Sequence, residues 1–230
     1  MFRYLQQAAQ HHRVGIVLAI ALFALAWTNA PVRELKLYKN YGDSAELFDA
    51  NVNVASLTNG VGQFLETTVD RCGERAAKQG RSPQSIASMR GRWLEWALLV
   101  ALKAKGLTPA YWQAEFVAVP RAYNDVTLWS KEHGPVILSC KTSLRERYKQ
   151  ADLESLALRS AFPDGRFYLV TLDADKKHVA RVRKKIASKE VLALQQVYDE
   201  ENADELFDFL KTLTLAEPGT NVLHTAVVIR

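Results

Sequence analysis

Residues 124–154, which read NDVTLWSKEHGPVILSCKTSLRERYKQADLE, contain the most informative pattern of the chain. Two short apolar runs, Val126 to Ser130 and Val136 to Cys140, have the composition of β-strands, and Gly134-Pro135 marks a turn between them. The pattern from Ser143 to Ser160 is that of a helix. The stretch therefore predicts a β-hairpin followed by a helix.

Polar residues occupy defined places in this predicted unit. Asp125 starts the first strand, and Ser139 and Lys141 are two residues apart on the second strand, so both point to one face. Glu154 lies on the helix that follows. Because a hairpin brings the start of one strand beside the end of its neighbour, two carboxylates and a lysine can converge.

This set of side chains matches the needs of phosphodiester hydrolysis. Carboxylates of Asp125 and Glu154 provide the oxygen ligands that Mg²⁺ prefers. A bound metal ion lowers the pKa of water and stabilises the leaving oxygen. Lys141 can act on the attacking water and stabilise developing charge. The prediction is a Mg²⁺ site at Asp125 and Glu154.

The rest of the chain predicts an α/β fold, with a mixed central sheet flanked by helices and a helical N-terminal part. We divide it into a helical part at 1–80, providing core or dimer contacts, and a catalytic core at 81–230. Helices are predicted at 1–28, 64–78, 82–105, 175–188 and 203–213, and strands at 114–119, 167–172, 191–198 and 222–229. Residues 33–39 are predicted to be a short strand or irregular, and 51–62 a loop.

Composition excludes several classes of protein. Cys72 and Cys140 are too few for a disulfide scaffold or a Cys-rich zinc site. We find no Ser-His-Asp signature, P-loop or dinucleotide fingerprint, so no small-molecule cofactor is expected. The net charge of +5, from 30 Lys and Arg against 25 Asp and Glu, permits a polyanionic partner.

The spacing of these polar residues resembles that of the PD-(D/E)xK nuclease superfamily. Asn124 stands where the family usually has Pro, and Ser139 stands where it has an acid two residues before the lysine. One branch of type II restriction endonucleases, the EcoRII-like group cutting CCGG, CCNGG and CCWGG sites, carries that serine. In this branch the missing acid comes from the next helix, some 13 residues beyond the lysine, which here is Glu154.

The resemblance also implies roles for other residues. Arg145, Glu146 and Arg147 match a stretch that enters the major groove and reads a CC:GG step, since arginine pairs with guanine and glutamate with cytosine. Glu95 matches a helical glutamate that assists catalysis, and Ser139 marks the vacated acid position. The implied enzyme has a restriction-endonuclease-like core and cuts double-stranded DNA as a homodimer on a palindromic site.

Other interpretations of the same residues stay open. Asp125 could be a turn residue, Lys141 a solvated charge, and Glu95 a partner of Arg92. The basic stretch between 176 and 189 is either a solvated helix face or a phosphate-contacting surface. At the level of the whole protein, the alternatives are a superfamily nuclease without strict specificity, or a degenerate DNA-binding or membrane-associated protein.

The N-terminus has an apolar run, Val14 to Trp27, after a basic start. Its 14 residues fall short of the roughly 20 that cross a bilayer. We therefore favour a core or dimer helix over a signal peptide or an anchor. Since a restriction enzyme acts on DNA inside the cell, the expected location is the cytoplasm.

Overall fold

The computed structural model describes residues 31–37 and 42–230. Its first part is helical, with α1 at Pro31–Glu34, α2 at Asp43–Asn51, a 3₁₀ turn at Val54–Asn59, α3 at Val61–Lys78 and α4 at Pro83–Ala104. The start of α4 follows from local chemistry. The Ser82 hydroxyl oxygen accepts a hydrogen bond from the Ser85 backbone N–H at 3.2 Å, and Pro83 occupies the first turn.

A six-stranded sheet forms the centre of the molecule, in the order β5-β4-β3-β2-β1-β6. The strands are β1 (Ala110–Phe116), β2 (Val119–Ser130), β3 (Gly134–Lys141), β4 (Arg166–Thr171), β5 (Gln196–Tyr198) and β6 (Leu223–Ile229). β1, β2, β3 and β6 pair antiparallel, whereas β3, β4 and β5 are parallel. The remaining helices are α5 (Arg147–Ala161), α6 (Lys176–Ala187) and α7 (Ala203–Lys211). The predicted mixed α/β fold is confirmed.

The predicted hairpin is formed by β2 and β3. Ser130 lies opposite Gly134, and Val126 lies opposite Leu138. β2 is longer than predicted because its first half pairs with β1, so Asp125 lies within the strand and not at its start. What begins next to Asp125 is the segment of β2 that pairs with β3.

The two faces of the sheet are covered by different helices. One core contains Trp93 and Trp96 of α4 with residues of α2, α3 and α7, and Cys72 and Cys140 are buried in it. The other core contains Ile137 of β3 with residues of α5 and α6. The described residues before position 81 thus share a hydrophobic core with α4 and the sheet.

Several local predictions were wrong. Residues 33 and 34 belong to α1, where the Asp49 carboxylate accepts a hydrogen bond from the Val32 N–H at 2.7 Å. Helix α2 was not predicted, the 51–62 region contains a 3₁₀ turn and the start of α3, and only residues 196–198 of the proposed 191–198 strand pair with β4.

The predictions for 1–28, including the apolar run Val14 to Trp27, lie outside the described residues. Across 31–37 and 42–230, no helix has both the length and the apolar character needed to span a membrane.

Candidate active site

Asp125 and Lys141 form the centre of the candidate site. Asp125 Oδ2 accepts hydrogen bonds from the Lys141 ammonium at 2.8 Å and from the Cys140 backbone N–H at 2.7 Å. The two side chains are only 15% and 12% exposed. The pair therefore is not a solvated surface contact, and the hairpin register brings its members together as the sequence predicted.

Lys141 is held in its charged form. Burial works against the ammonium, but the Asp125 charge and hydrogen bond outweigh it, and the pKa of Lys141 is raised above its ordinary value. At neutral pH the side chain is a proton donor and a cation. It can orient a water molecule or stabilise anionic oxygen, and it has no lone pair with which to act as a base.

Glu95 of helix α4 lies within electrostatic reach of the same carboxylate. Its Oε2 accepts hydrogen bonds from Trp112 Nε1 at 2.7 Å and Gln113 Nε2 at 2.9 Å, both on β1. Burial, followed by repulsion from the Asp125 charge, raises the pKa of Glu95 to about 7. These partners differ from the Arg92 pairing considered above, and they aim the carboxylate toward the sheet.

Glu154 and Ser139 occupy different environments. Glu154 is half-buried on α5 and accepts a hydrogen bond from Gln150 Nε2 at 2.8 Å. Its charge acts on Lys141 and raises the pKa of that lysine, as the last of several contributions. Ser139 is buried on β3 opposite Leu169 of β4. Alternation along β3 places it on the same face as Lys141, away from the core that holds Cys140.

The donor set suits a hard divalent cation. Glu95 and Asp125 repel one another in a largely buried position, and a cation between such carboxylates relieves that repulsion. Within the described ranges, no three His, Cys, Asp or Glu side chains are grouped as a metal cluster. Mg²⁺ is commonly held by one or two carboxylates, with water and substrate phosphate as the other ligands. The Mg²⁺ site at Asp125 and Glu154 stays a prediction.

Residues 144–147, here called the arginine turn, connect β3 to α5. Its position is fixed by the buried Leu144, whose backbone N–H donates to Asp173 Oδ2 at 2.6 Å. Helix α5 begins at Arg147, so Arg145 and Glu146 lie in the turn and do not start the helix as predicted. The Leu144–Asp173 hydrogen bond explains this difference, because it holds the chain in a turn before the helix starts.

The arginine turn presents charges to solvent. Arg145, Glu146 and Arg147 are all exposed. Glu146 binds the Lys149 ammonium at 2.6 Å, whereas the two arginines have no carboxylate partner within the described part of the chain. Both guanidinium groups are therefore available to a ligand.

Sequence reasoning missed three residues that position this site. Trp112 and Gln113 orient Glu95, and Asp173 fixes the arginine turn. For Asp173 a signal existed in the sequence, since an acid just after a parallel strand lies at the edge where the ends of β3 and β4 meet. Gln113 has a backbone φ of 51° at an irregularity in the β1 pairing, which the sequence does not indicate.

A cleft of about 860 Å³ opens beside Glu95. Its walls include Arg92 of α4, Trp112 and Gln113 of β1, and Tyr123 of β2. Tyr123 is 56% exposed, so an aromatic ring and a guanidinium group border the approach to the Glu95 carboxylate. The Glu95 carboxylate is thus reachable from solvent on this side.

Comparison with known proteins gives one structural likeness. No protein-family model and no curated protein matches the chain. Among solved structures, the chain is similar to a restriction endonuclease PspGI–substrate DNA complex, with 14% identity, a TM-score of 0.49, and coverage of 83% of this chain and 86% of that one. Because likeness at this level does not carry side-chain chemistry, the functional assignment depends on the residues described above.

Proposed function

We propose that this protein is a Mg²⁺-dependent type II restriction endonuclease that hydrolyses phosphodiester bonds in double-stranded DNA. The main support is the largely buried Asp125–Lys141 pair at 2.8 Å, with the Glu95 carboxylate within electrostatic reach of the same aspartate. Two mutually repelling carboxylates beside a charged lysine suit a reaction that builds negative charge on phosphate oxygens. Exposed Arg145 and Arg147 next to this pair suit a DNA substrate.

Each residue has a role in this proposal. Asp125 and Glu154 would hold the metal ion, which when bound supplies an activated water and charge neutralisation. Lys141 donates hydrogen bonds to the attacking water and to phosphate oxygen. Glu95 has a pKa of about 7, so it is about half protonated at neutral pH. It would assist catalysis beside Asp125. Ser139 leaves room where an acid would otherwise stand.

The metal ligands are tested by DNA cleavage. Asp125→Ala and Glu154→Ala should abolish cutting of sequenced DNA in Mg²⁺ while binding of the duplex stays measurable, since these carboxylates hold the ion and not the DNA. The matched control is Asp208→Ala, which removes an exposed acid paired with Lys211 on α7. Near-normal cleavage by Glu154→Ala would contradict its assignment as the second acid. Cleavage that needs no divalent ion would contradict the whole proposal.

Site specificity follows from the arginine turn. We propose that the recognition site contains a CC:GG step in each half, read by Arg145, Glu146 and Arg147 of each protomer of a homodimer. Glu146 must exchange its Lys149 partner for a cytosine amino group. End mapping of digested DNA gives the site directly, and a mapped site without CC:GG would contradict this assignment. Fragments without a defined pattern would indicate a nuclease of low specificity.

Arg147→Ala tests the reading of bases. A bidentate arginine–guanine contact is worth about 1–3 kcal/mol of discrimination, so the ratio of specific to random binding should fall about 5- to 150-fold. Competition binding with a cognate and a scrambled duplex measures this ratio. An unchanged ratio in both Arg145→Ala and Arg147→Ala would remove the arginine turn from base recognition.

A further inference from the structure

Helix α6 carries six Lys and Arg residues and no Asp or Glu. The structure divides these cations into three groups. On one flank, Arg183 binds Asp199 at 2.9 Å and Lys176 binds Glu200. These two cations attach α6 to the loop after β5, and they are neutralised within the protein.

The opposite flank adjoins the start of α5. Lys185 Nζ donates a hydrogen bond to the Tyr148 hydroxyl at 3.1 Å, and the His178 ring lies edge-on to the Tyr148 ring with centroids 6.2 Å apart. Tyr148 directly follows the arginine turn. The charge of Lys185 also reaches Glu146, adding to the effect of Lys149 in lowering its pKa. This flank therefore connects α6 to the turn that carries Arg145 and Arg147.

The third group faces outward between the two flanks. Lys177, Arg181 and Lys184 follow the i, i+4, i+7 spacing of one helix face and are all exposed. They have no ion-pair partner anywhere in residues 31–37 or 42–230. Like charges at this spacing repel each other and weaken a helix by a few tenths of a kcal/mol per pair, roughly. These three residues, here called the stripe, do not stabilise the fold, but their charges attract a polyanion.

The strand order places the helix that carries the stripe near the candidate site. Helix α6 follows β4, which runs parallel to β3, so α6 begins at the sheet edge where β3 ends with Lys141. Asp173, just before α6, holds Leu144 of the arginine turn through its 2.6 Å hydrogen bond. A duplex that contacts the arginine turn thus passes next to α6.

We propose that Lys177, Arg181 and Lys184 form a phosphate-binding surface for the DNA backbone beside the arginine turn. This inference rests on the proposed function, because it assigns the same DNA to a second surface. Phosphate contacts position a duplex and carry no direct sequence information. The stripe should therefore set affinity and its dependence on salt, and leave the choice of sequence to the arginine turn.

The test uses two triple variants of the full chain. Lys177→Gln/Arg181→Gln/Lys184→Gln removes the stripe. The control, Arg71→Gln/Arg75→Gln/Lys78→Gln, removes the same charge at the same i, i+4, i+7 spacing from exposed positions of α3, whose buried residues belong to the core on the other face of the sheet. Dissociation constants for a CC:GG-containing duplex and a random duplex are measured in EDTA, where nothing is cut, between 50 and 200 mM salt, a range over which phosphate contacts change affinity by about 10³-fold or more.

In the stripe variant, the magnitude of the slope of log K against log[salt] should fall for both duplexes by about 2–3 per bound protomer, or about 5 for a dimer, roughly one unit per lost phosphate contact. The control variant should keep the parental slope. An unchanged slope in the stripe variant, an equal fall in the control, or a loss confined to the cognate duplex would each overturn the proposal. Because binding is measured without cleavage, the expected slopes would support the surface even in a protein that cuts nothing. A site-specific enzyme with an unchanged slope would refute the surface alone.

Discussion

At the scale of single residues, the site depends on a balance of charges around one carboxylate. Asp125 forms an ion pair with Lys141 at 2.8 Å, and its charge repels that of Glu95. The lysine stabilises the aspartate, whereas burial and then the charge of the same aspartate make ionisation of the glutamate unfavourable and raise its pKa. Removing the lysine charge should therefore lower the free energy of unfolding, and removing the glutamate charge should raise it.

Lys141→Ala should lower the cleavage rate by orders of magnitude, because the charge that acts on water and phosphate is lost. It should also destabilise the fold by about 1–3 kcal/mol, since it leaves a mostly buried carboxylate without its cation. If Lys141 were the solvated charge that the sequence also allowed, its loss would leave folding unchanged, but its 12% exposure predicts otherwise. Single-turnover cleavage and urea unfolding measure the two effects.

Lys149→Ala is the matched control for that substitution. Its ion pair with Glu146 is exposed, and such pairs are worth roughly 0–1 kcal/mol. Equal unfolding free energies for the Lys141 and Lys149 variants would show that the Asp125–Lys141 pair does not contribute to stability.

Glu95→Gln should stabilise the protein at alkaline pH. The pKa of Glu95 rises from 4.5 to about 7 on folding, so the folded state binds the proton more tightly and stability falls as pH rises from about 4.5 to 7. Glutamine keeps an oxygen for Trp112 and Gln113 without the charge, and at pH 8 it should restore about 2 kcal/mol of unfolding free energy after allowance for partial exposure.

Unfolding at pH 5 and pH 8 measures this effect. At pH 5 the parent and Glu95→Gln should differ little, because the folded parent is already protonated at Glu95. A variant that is less stable than the parent at pH 8 would contradict the raised pKa. Cleavage by the same variant should fall, since the assisting carboxylate is gone.

At the scale of elements, the end of β4 controls the segment that follows β3. The Asp173 carboxylate is buried and accepts two backbone hydrogen bonds, from Leu144 N–H at 2.6 Å and from Asp175 N–H at 3.0 Å. One side chain thus links the parallel strand pair, the arginine turn and the start of α6. The turn and helix α6 are positioned by the same group.

Asp173→Asn should loosen the arginine turn. An amide has one acceptor oxygen, so its NH₂ group must face one of the two backbone donors, at a cost of about 1–3 kcal/mol. We expect lower stability and a smaller ratio of cognate to random binding, with Lys141 and Asp125 left in place. Thermal unfolding and competition binding report the two effects. The same substitution at the exposed Asp175, which caps α6 through His178 N–H, is the control for a general effect on the helix.

At the scale of the whole molecule, the proposal requires two copies of the chain. In this proposal a single arginine turn would read one half of a palindrome, and two-fold symmetry of the protein would mirror that of the DNA. The N-terminal part, residues 1–80, is proposed to supply core or dimer contacts. Its described residues pack with α4 and the sheet.

We expect the 25.8 kDa chain to sediment as a dimer, or to bind a cognate palindrome with two chains per duplex. Analytical ultracentrifugation with and without DNA distinguishes these states. A duplex carrying a single half-site provides the control and should bind one dimer more weakly. One chain per palindromic duplex at saturation would contradict the proposal that two protomers each read one half-site.

The sequence alone determined the parts of this protein that depend on neighbours along the chain. The β2–β3 hairpin follows from two apolar runs and a Gly-Pro turn, and its register by itself brings Asp125 to Lys141. The α4 helix follows from Ser82 and Pro83. In each case the spacing of apolar residues and the residues at the turn or helix start determine the local backbone geometry.

Only the tertiary structure decided the parts that depend on distant contacts. The pKa of Glu95 is raised because packing of α4 against the sheet buries the carboxyl group near the Asp125 charge, whereas hydrogen bonds from Trp112 and Gln113 partly offset the rise. Asp173 reaches Leu144 across 29 residues of chain because β3 and β4 are parallel neighbours. Helix periodicity shows that α6 is basic, but only the packing of its two flanks shows which cations are already neutralised and which face solvent. Burial and long-range pairing depend on the whole sheet, so a local pattern cannot specify them.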